Sequence, residues 1–159
     1  MERCTKEGKG RNALELSNND RLLLNWRPLI SFGLFKFGFP LTNDHQRYKL
    51  KKSERPRGSD DYQIFDSDEF DLFVSIEEGV VDYVSCRGEC YFNDINLIGV
   101  GIDEALSLLR YRPDRKPDDV FDLDWGVQQV WDLDEIEAQV WELHGRLYSI
   151  SVRGPCSDE

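Results

Sequence analysis

The 159-residue chain is poor in cysteine, histidine and methionine, with four, two and one of each. Cys4, Cys86, Cys90 and Cys156 are too few for a disulfide framework in a chain of this length, though Cys4 and Cys156 could pair if the ends meet. Cys86 and Cys90 sit in CRGEC, but a closed zinc site wants four nitrogen or sulfur ligands. Only His45 and His144 could join them, and neither lies near a second ligand in sequence. No metal and no cofactor are therefore expected, and Cys86, on the apolar phase of a strand, reads as a buried thiol. The chain also lacks a Walker-type phosphate loop and a G-x-S-x-G elbow, and Gly99-Val-Gly101-Ile102 is too short for a dinucleotide fingerprint. His-based acid/base chemistry would rest on His45, expected on an exposed helix face, or His144, expected in a turn. Long apolar runs are missing too. Leu29 to Phe39 is broken by Ser31, Gly33, Lys36 and Gly38, and Met1 to Asn12 lacks the apolar core of a signal peptide. The expectation is a cytoplasmic protein with no membrane partner.

What the chain has in excess is negative charge, and that charge is unevenly spread. Residues 1–57 hold 13 Lys/Arg and 6 Asp/Glu, whereas residues 58–159 hold 7 and 25. The two parts carry +7 and −18, which together give the net −11. An acidic surface repels phosphate backbones, so nucleic acid is excluded as a partner of the C-terminal part. Such a surface is either a solvated face or one that steers a basic protein toward it. Apolar residues at 40% and aromatics at 12% are enough to fill one core.

Sliding the chain along itself by 66 residues reveals a repeat. Gln63 to Cys86, QIFDSDEFDLFVSIEEGVVDYVSC, aligns without a gap on Gln129 to Val152, QVWDLDEIEAQVWELHGRLYSISV, with 7 of 24 positions identical. Each copy reads as strand, turn, strand. Phe70, Leu72, Val74 and Ile76 alternate with polar positions, Glu78-Gly79 supplies the turn, and Val84 and Cys86 share a face on the return. Ile136, Ala138 and Val140, then His144-Gly145, then Ile150 and Val152 follow suit. A short β-favouring piece precedes each hairpin, at Tyr62 to Phe65 and Val127 to Trp131. Acidic loops follow these pieces at Asp66 to Glu69 and Asp132 to Glu135, where recurring Asp suits turn chemistry.

A helix is expected before each hairpin to cover its apolar face. The second would run from an Asp103 N-cap to Tyr111, stopping before Pro113, and the first from Thr42 or Asn43 to Leu50. Gly-containing lead-ins, FKFGFPL at Phe35 to Leu41 and LIGVGID at Leu97 to Asp103, precede both, and Arg87 to Asn96 links the units. The expected class is α+β: two tandem units, each a short helix plus an antiparallel three-stranded meander, sharing one curved sheet. Residues 1–18 read as a polar, frayed leader, and residues 19–159 as a single domain built from units 33–86 and 97–152.

The order of Gly-containing lead-in, acidic N-cap, Leu-rich helix, Pro and meander resembles the tandem repeats of β-lactamase-inhibitor-protein-like folds. It is carried by Gly101-Ile-Asp-Glu-Ala-Leu-Ser-Leu-Leu with Pro113 and by Val140 to Val152. The resemblance implies binding and inhibition through the sheet face, without catalysis. Size and acidity also resemble the immunity proteins of bacterial toxin systems, which implies a basic cognate toxin, such as a nuclease.

The candidate binding stretch is Phe121 to Glu142. Trp141 is out of phase with Ala138 and Val140, so it points away from the inner face, and beside Glu137 and Gln139 it has the make-up of an interface anchor. The alternative is that a helix or the other copy's loop covers it as core. Trp125 and Trp131 lean toward core. The candidate partner-binding residues are Asp122, Asp124, Trp125, Asp132, Asp134, Glu135, Glu137, Gln139, Trp141 and Glu142, and no catalytic residue is assigned. The expected function is a non-enzymatic inhibitor, an immunity protein that neutralises a basic toxin domain. The alternatives are a small hydrolase or cation-binding protein using the acidic loops, or a structural adaptor.

Overall fold

The computed structural model describes residues 18–53, 62–112 and 115–155. The expected leader, apart from Asn18, and the possible pairing of Cys4 with Cys156 lie outside the described residues. Among the described residues the first element is α1 (Asn18–Leu23), followed by three two-residue strands, β1 (Trp26–Arg27), β2 (Ser31–Phe32) and β3 (Phe35–Lys36). A 3₁₀ helix (Asn43–Tyr48) leads to β4 (Lys51–Lys52), β5 (Tyr62–Ser67), β6 (Leu72–Glu77) and β7 (Val80–Cys86). The hairpin of β8 (Tyr91–Phe92) and β9 (Ile95–Asn96) precedes α2 (Ile102–Leu108). The last elements of the described residues are β10 (Asp119–Leu123), β11 (Gly126–Leu133), a 3₁₀ turn (Asp134–Ile136), β12 (Ala138–Leu143) and β13 (Arg146–Arg153).

Eight of these strands form one antiparallel sheet in the order β10-β11-β12-β13-β7-β6-β5-β4. Its two halves keep the same register at the 66-residue offset. Leu72 faces Cys86 as Ala138 faces Val152, Ile76 faces Val81 as Glu142 faces Leu147, and both halves carry a bulge, after Ser75 and after Trp141. The halves meet where β7 pairs with β13, with Ser85 opposite Ser151. Those two serines are each other's equivalents in the repeat, and the Ser151 hydroxyl donates to Ser85 Oγ at 3.2 Å. The register is therefore two-fold about that pair. Both reverse turns place their central residues at positive φ, Glu78 at 54° and Gly79 at 85°, His144 at 56° and Gly145 at 84°, as tight primed hairpins require.

All the remaining elements pack on one face of the sheet and share one core with it. Leu72, Val74, Val84, Cys86, Val140, Ile150 and Val152 from the sheet meet Trp26, Phe32, Phe35, Tyr48, Ala105 and Leu106 from the covering layer. Tyr48 ties that layer together. Its hydroxyl donates to Leu23 O at 2.7 Å and accepts from Leu34 N at 2.8 Å, while its ring stacks on Phe35 at 4.2 Å. Gly33 passes so close that a Cβ would lie 2.0 Å from Leu23 O and 2.1 Å from the Tyr48 hydroxyl.

The α+β expectation is overturned. The described residues are mostly strand, in a large eight-stranded antiparallel sheet with few helices, and they do not divide clearly into two helix-plus-meander units. The physical reason lies in segments whose patterns are weak. Thr42 to Leu50 folds as a 3₁₀ helix because its buried side chains, His45 and Tyr48, are three apart and eclipse one another at that spacing. Thr42 does cap it, in a capping box with His45. α2 starts at Ile102 after a Gly101 cap and ends at Leu108, so Asp103 lies inside its first turn. Lys51–Lys52 and Asp119–Leu123, outside the expected helices and meanders, are strands that extend the sheet to eight, and the supposed linker Arg87 to Asn96 holds a hairpin of its own. His45 is buried rather than exposed. Its Nδ1 accepts from Thr42 N and its Nε2 donates to Leu34 O, both at 2.8 Å. Among the described residues, no helix is long and apolar enough to cross a membrane.

Candidate functional site

With every covering element on one side, the other face of the eight-stranded sheet is left open. Side chains alternate along a strand, so the positions between the core residues point to this face. On the central strands they are small or amphipathic: Ser85, Tyr83, Ser151, Ser149, Arg87 and Arg153. The result is a groove of about 710 Å³ running from Phe73 and Tyr83 on one half to Gln139 and Trp141 on the other, with Asp132, Asp134 and Glu137 at its rim.

The C-terminal half of the groove is held by a chain of hydrogen bonds. Trp141 Nε1 donates to Gln139 Oε1 at 3.0 Å, and Gln139 Nε2 donates to Asp132 Oδ1 at 2.8 Å. This fixes the orientation of the Gln139 amide, and with it the tilt of the indole. The Trp141 ring stacks on Phe121 of β10, centroids 6.1 Å apart and planes 10° from parallel. Asp132 therefore bonds across the sheet to Gln139 instead of closing its own turn. Behind it, Asp132 N donates to Asp118 Oδ2 at 2.6 Å, and Arg115 donates to both Asp118 Oδ2 and Asp132 O. Trp131 Nε1 donates to Arg115 O at 2.9 Å.

The N-terminal half is aromatic. Phe73 and Tyr83 meet edge to face at 5.8 Å, and the Arg153 guanidinium lies over the Tyr83 ring at 5.5 Å. Burial, followed by a hydrogen bond with Tyr62, pushes the Tyr83 phenol well above its ordinary range. The two groove arginines face acids of their own, Arg87 near Asp71 at 3.9 Å and Arg153 near Asp82 at 4.0 Å. Among the described residues, Asp134 and Glu137 form no ion pair, so the rim's negative charge is open to solvent.

Of the ten candidate residues, Asp132, Asp134, Glu137, Gln139 and Trp141 converge on this groove. Trp141 is half-buried and lies on the face away from the core, as its phase requires. Glu135 turns to a neighbouring hollow, where Tyr111 Oη donates to Oε1 at 2.6 Å and holds the carboxyl below the usual range. Asp122 lies on the opposite side of β10, and Asp124 and Trp125 form the exposed tip of the β10–β11 hairpin, Trp125 being 58% exposed. Glu142 is buried on the core-facing side, where Oε2 accepts from Gly145 N at 2.6 Å. Trp131 is buried as core.

Phe73, Tyr83, Arg87 and Arg153 are groove residues that sequence reasoning missed. The signal for two of them was present, because Phe73 and Tyr83 are large aromatics on the polar phase of their strands. The thiols of Cys86 and Cys90 are free and buried, and among the described residues no cluster of His, Cys, Asp and Glu could hold a metal ion. Comparison with models of protein families, with curated proteins and with solved structures finds no match to this chain.

Proposed function

We propose that this is a non-enzymatic protein-binding protein whose working surface is the open face of the sheet, and that it acts in the cytoplasm as an inhibitor of the immunity class, occluding a basic toxin domain. The observation that carries this reading is how differently the two faces of the repeat have diverged. Toward the core, most equivalent positions keep their chemistry, Val74 with Val140, Val84 with Ile150, Val81 with Leu147 and Phe65 with Trp131, with Glu142 in place of Ile76 as the exception. On the open face Ser85 and Ser151 match, as do Asp66 and Asp132, but the aromatic positions do not: Phe73 stands where the other half has Gln139, Ser75 matches Trp141, and Tyr83 matches Ser149. Packing alone demands no such divergence at uncovered positions. An asymmetric partner does, because it needs its aromatic anchors in one arrangement only. The ordered Trp141–Gln139–Asp132 chain supplies a preorganised anchor, and Asp134 and Glu137 supply the negative rim that steers a basic partner.

A photocrosslinking phenylalanine analogue in place of Phe73, which lines the groove outside the Trp141–Gln139–Asp132 chain, tests this in the native host. It should capture a basic protein, in a yield that falls with added salt and is lost with Trp141→Ala, while the same probe at Glu104 on α2 captures none. Equal capture from both positions, or capture indifferent to Trp141→Ala, would contradict the reading.

A further inference from the structure

The two ends of the sheet are built differently. β4 ends it with two exposed lysines, the short, charged form that discourages strand addition. β10 ends the other side with five residues, and among the described residues no strand lies on its outer side. Val120 is 58% and Phe121 42% exposed, and Val127, on the strand behind them, is 49% exposed. Val120 and Phe121 are adjacent in the strand and so lie on opposite faces, which leaves this end of the sheet apolar on both sides. Such an edge presents unpaired N–H and C=O groups together with apolar contacts for an added strand.

The chemistry of the occupant follows from charge. Asp119, Asp122 and Asp124 lie along or beside this edge, Asp118 next to them being paired with Arg115, and no Lys or Arg occurs from Asp118 to Leu143. A second copy of the chain would bring two such sets of carboxylates together, which is unfavourable at cross-strand distance, whereas Lys or Arg on an added strand would meet them with opposite charge. We infer that β10 is an augmentation edge that takes an extended basic segment of a partner protein as a further strand of the sheet. This rests on the protein-binding reading above, because the Phe121–Trp141 stack makes the edge continuous with the groove.

The test titrates the isotope-labelled full chain with a short synthetic peptide alternating lysine with valine. Two control peptides carry N-methyl groups on the amides of one side of the strand or the other. Strand addition should shift the amide signals of Val120 to Leu123, slow their solvent exchange, and be weakened about tenfold by N-methylation of one side only. No binding of the peptide, equal binding of all three peptides, or self-association of the chain through β10 in sedimentation would overturn the inference. Shifts confined to Ser85, Gln139 and Ser151 would overturn strand addition while leaving the open face as the binding surface. Absence of photocapture from position 73 with the β10 shifts intact would mean that the groove reading fails and the edge does not.

Discussion

Two tryptophans ten residues apart show how far strand phase sets the role of a side chain. Trp131 faces the core and is 4% exposed, so Trp131→Ala should cost about 3–5 kcal/mol in urea denaturation. Trp141 faces the groove and stacks on Phe121, so Trp141→Ala should cost only about 1 kcal/mol while abolishing partner capture. A drop as large as that of Trp131→Ala would show that Trp141 is core. Cys86 gives a prediction in pH. Burial pushes its thiol from 9.0 up to about 12, so the folded state holds a proton that the unfolded chain has released. The stability this contributes is complete below pH 9 and is lost as pH rises toward 12, at about 1.4 kcal/mol per pH unit. Cys86→Ser keeps a donor for Glu89 O but does not ionise in this range, so its stability should fall less steeply over the same interval.

At the scale of elements, the hairpins were legible because their turns are local. Glu78-Gly79 and His144-Gly145 need positive φ whatever surrounds them, and the alternation on either side sets the register. Alanine at Gly79 or Gly145 has open space around its Cβ and should cost about 1 kcal/mol, from backbone strain alone. Gly33→Ala adds to that strain a collision with Leu23 O and the Tyr48 hydroxyl, and should lower the thermal midpoint by clearly more than either hairpin variant. An equal effect would mean that the covering layer gives way easily at this point. The elements that sequence missed are the short ones. β4, β8 and β9 are two residues each, too short to show a period, and Asp119–Leu123 carries acids where a strand pattern expects apolar residues. These strands are held by their neighbours, not by their own propensity.

At the scale of the whole molecule, the net charge of −11 acts in two directions. Like charges repel within the compact state, so raising salt should raise the thermal midpoint by screening them, while the same salt weakens attraction to a basic partner. Both are read from one salt series, of thermal melts and of photocapture; a partner yield that rises with salt would contradict the steering role of the rim.

By itself the sequence determined the repeat, the turns, the inward phase of Val74, Val84, Val140 and Ile150, and the outward phase of Trp141. Each of these depends on neighbours within a few residues, where backbone geometry and alternation act directly. Only the tertiary structure decided that both halves join through β7 and β13, that the whole covering layer falls on one side, and that β10 is left as an edge. It likewise decided that His45 and Glu142 are buried while Trp125 is exposed. Burial is a property of what arrives from distant parts of the chain, and a strand's own pattern cannot say which of its faces, or which of its edges, will be covered.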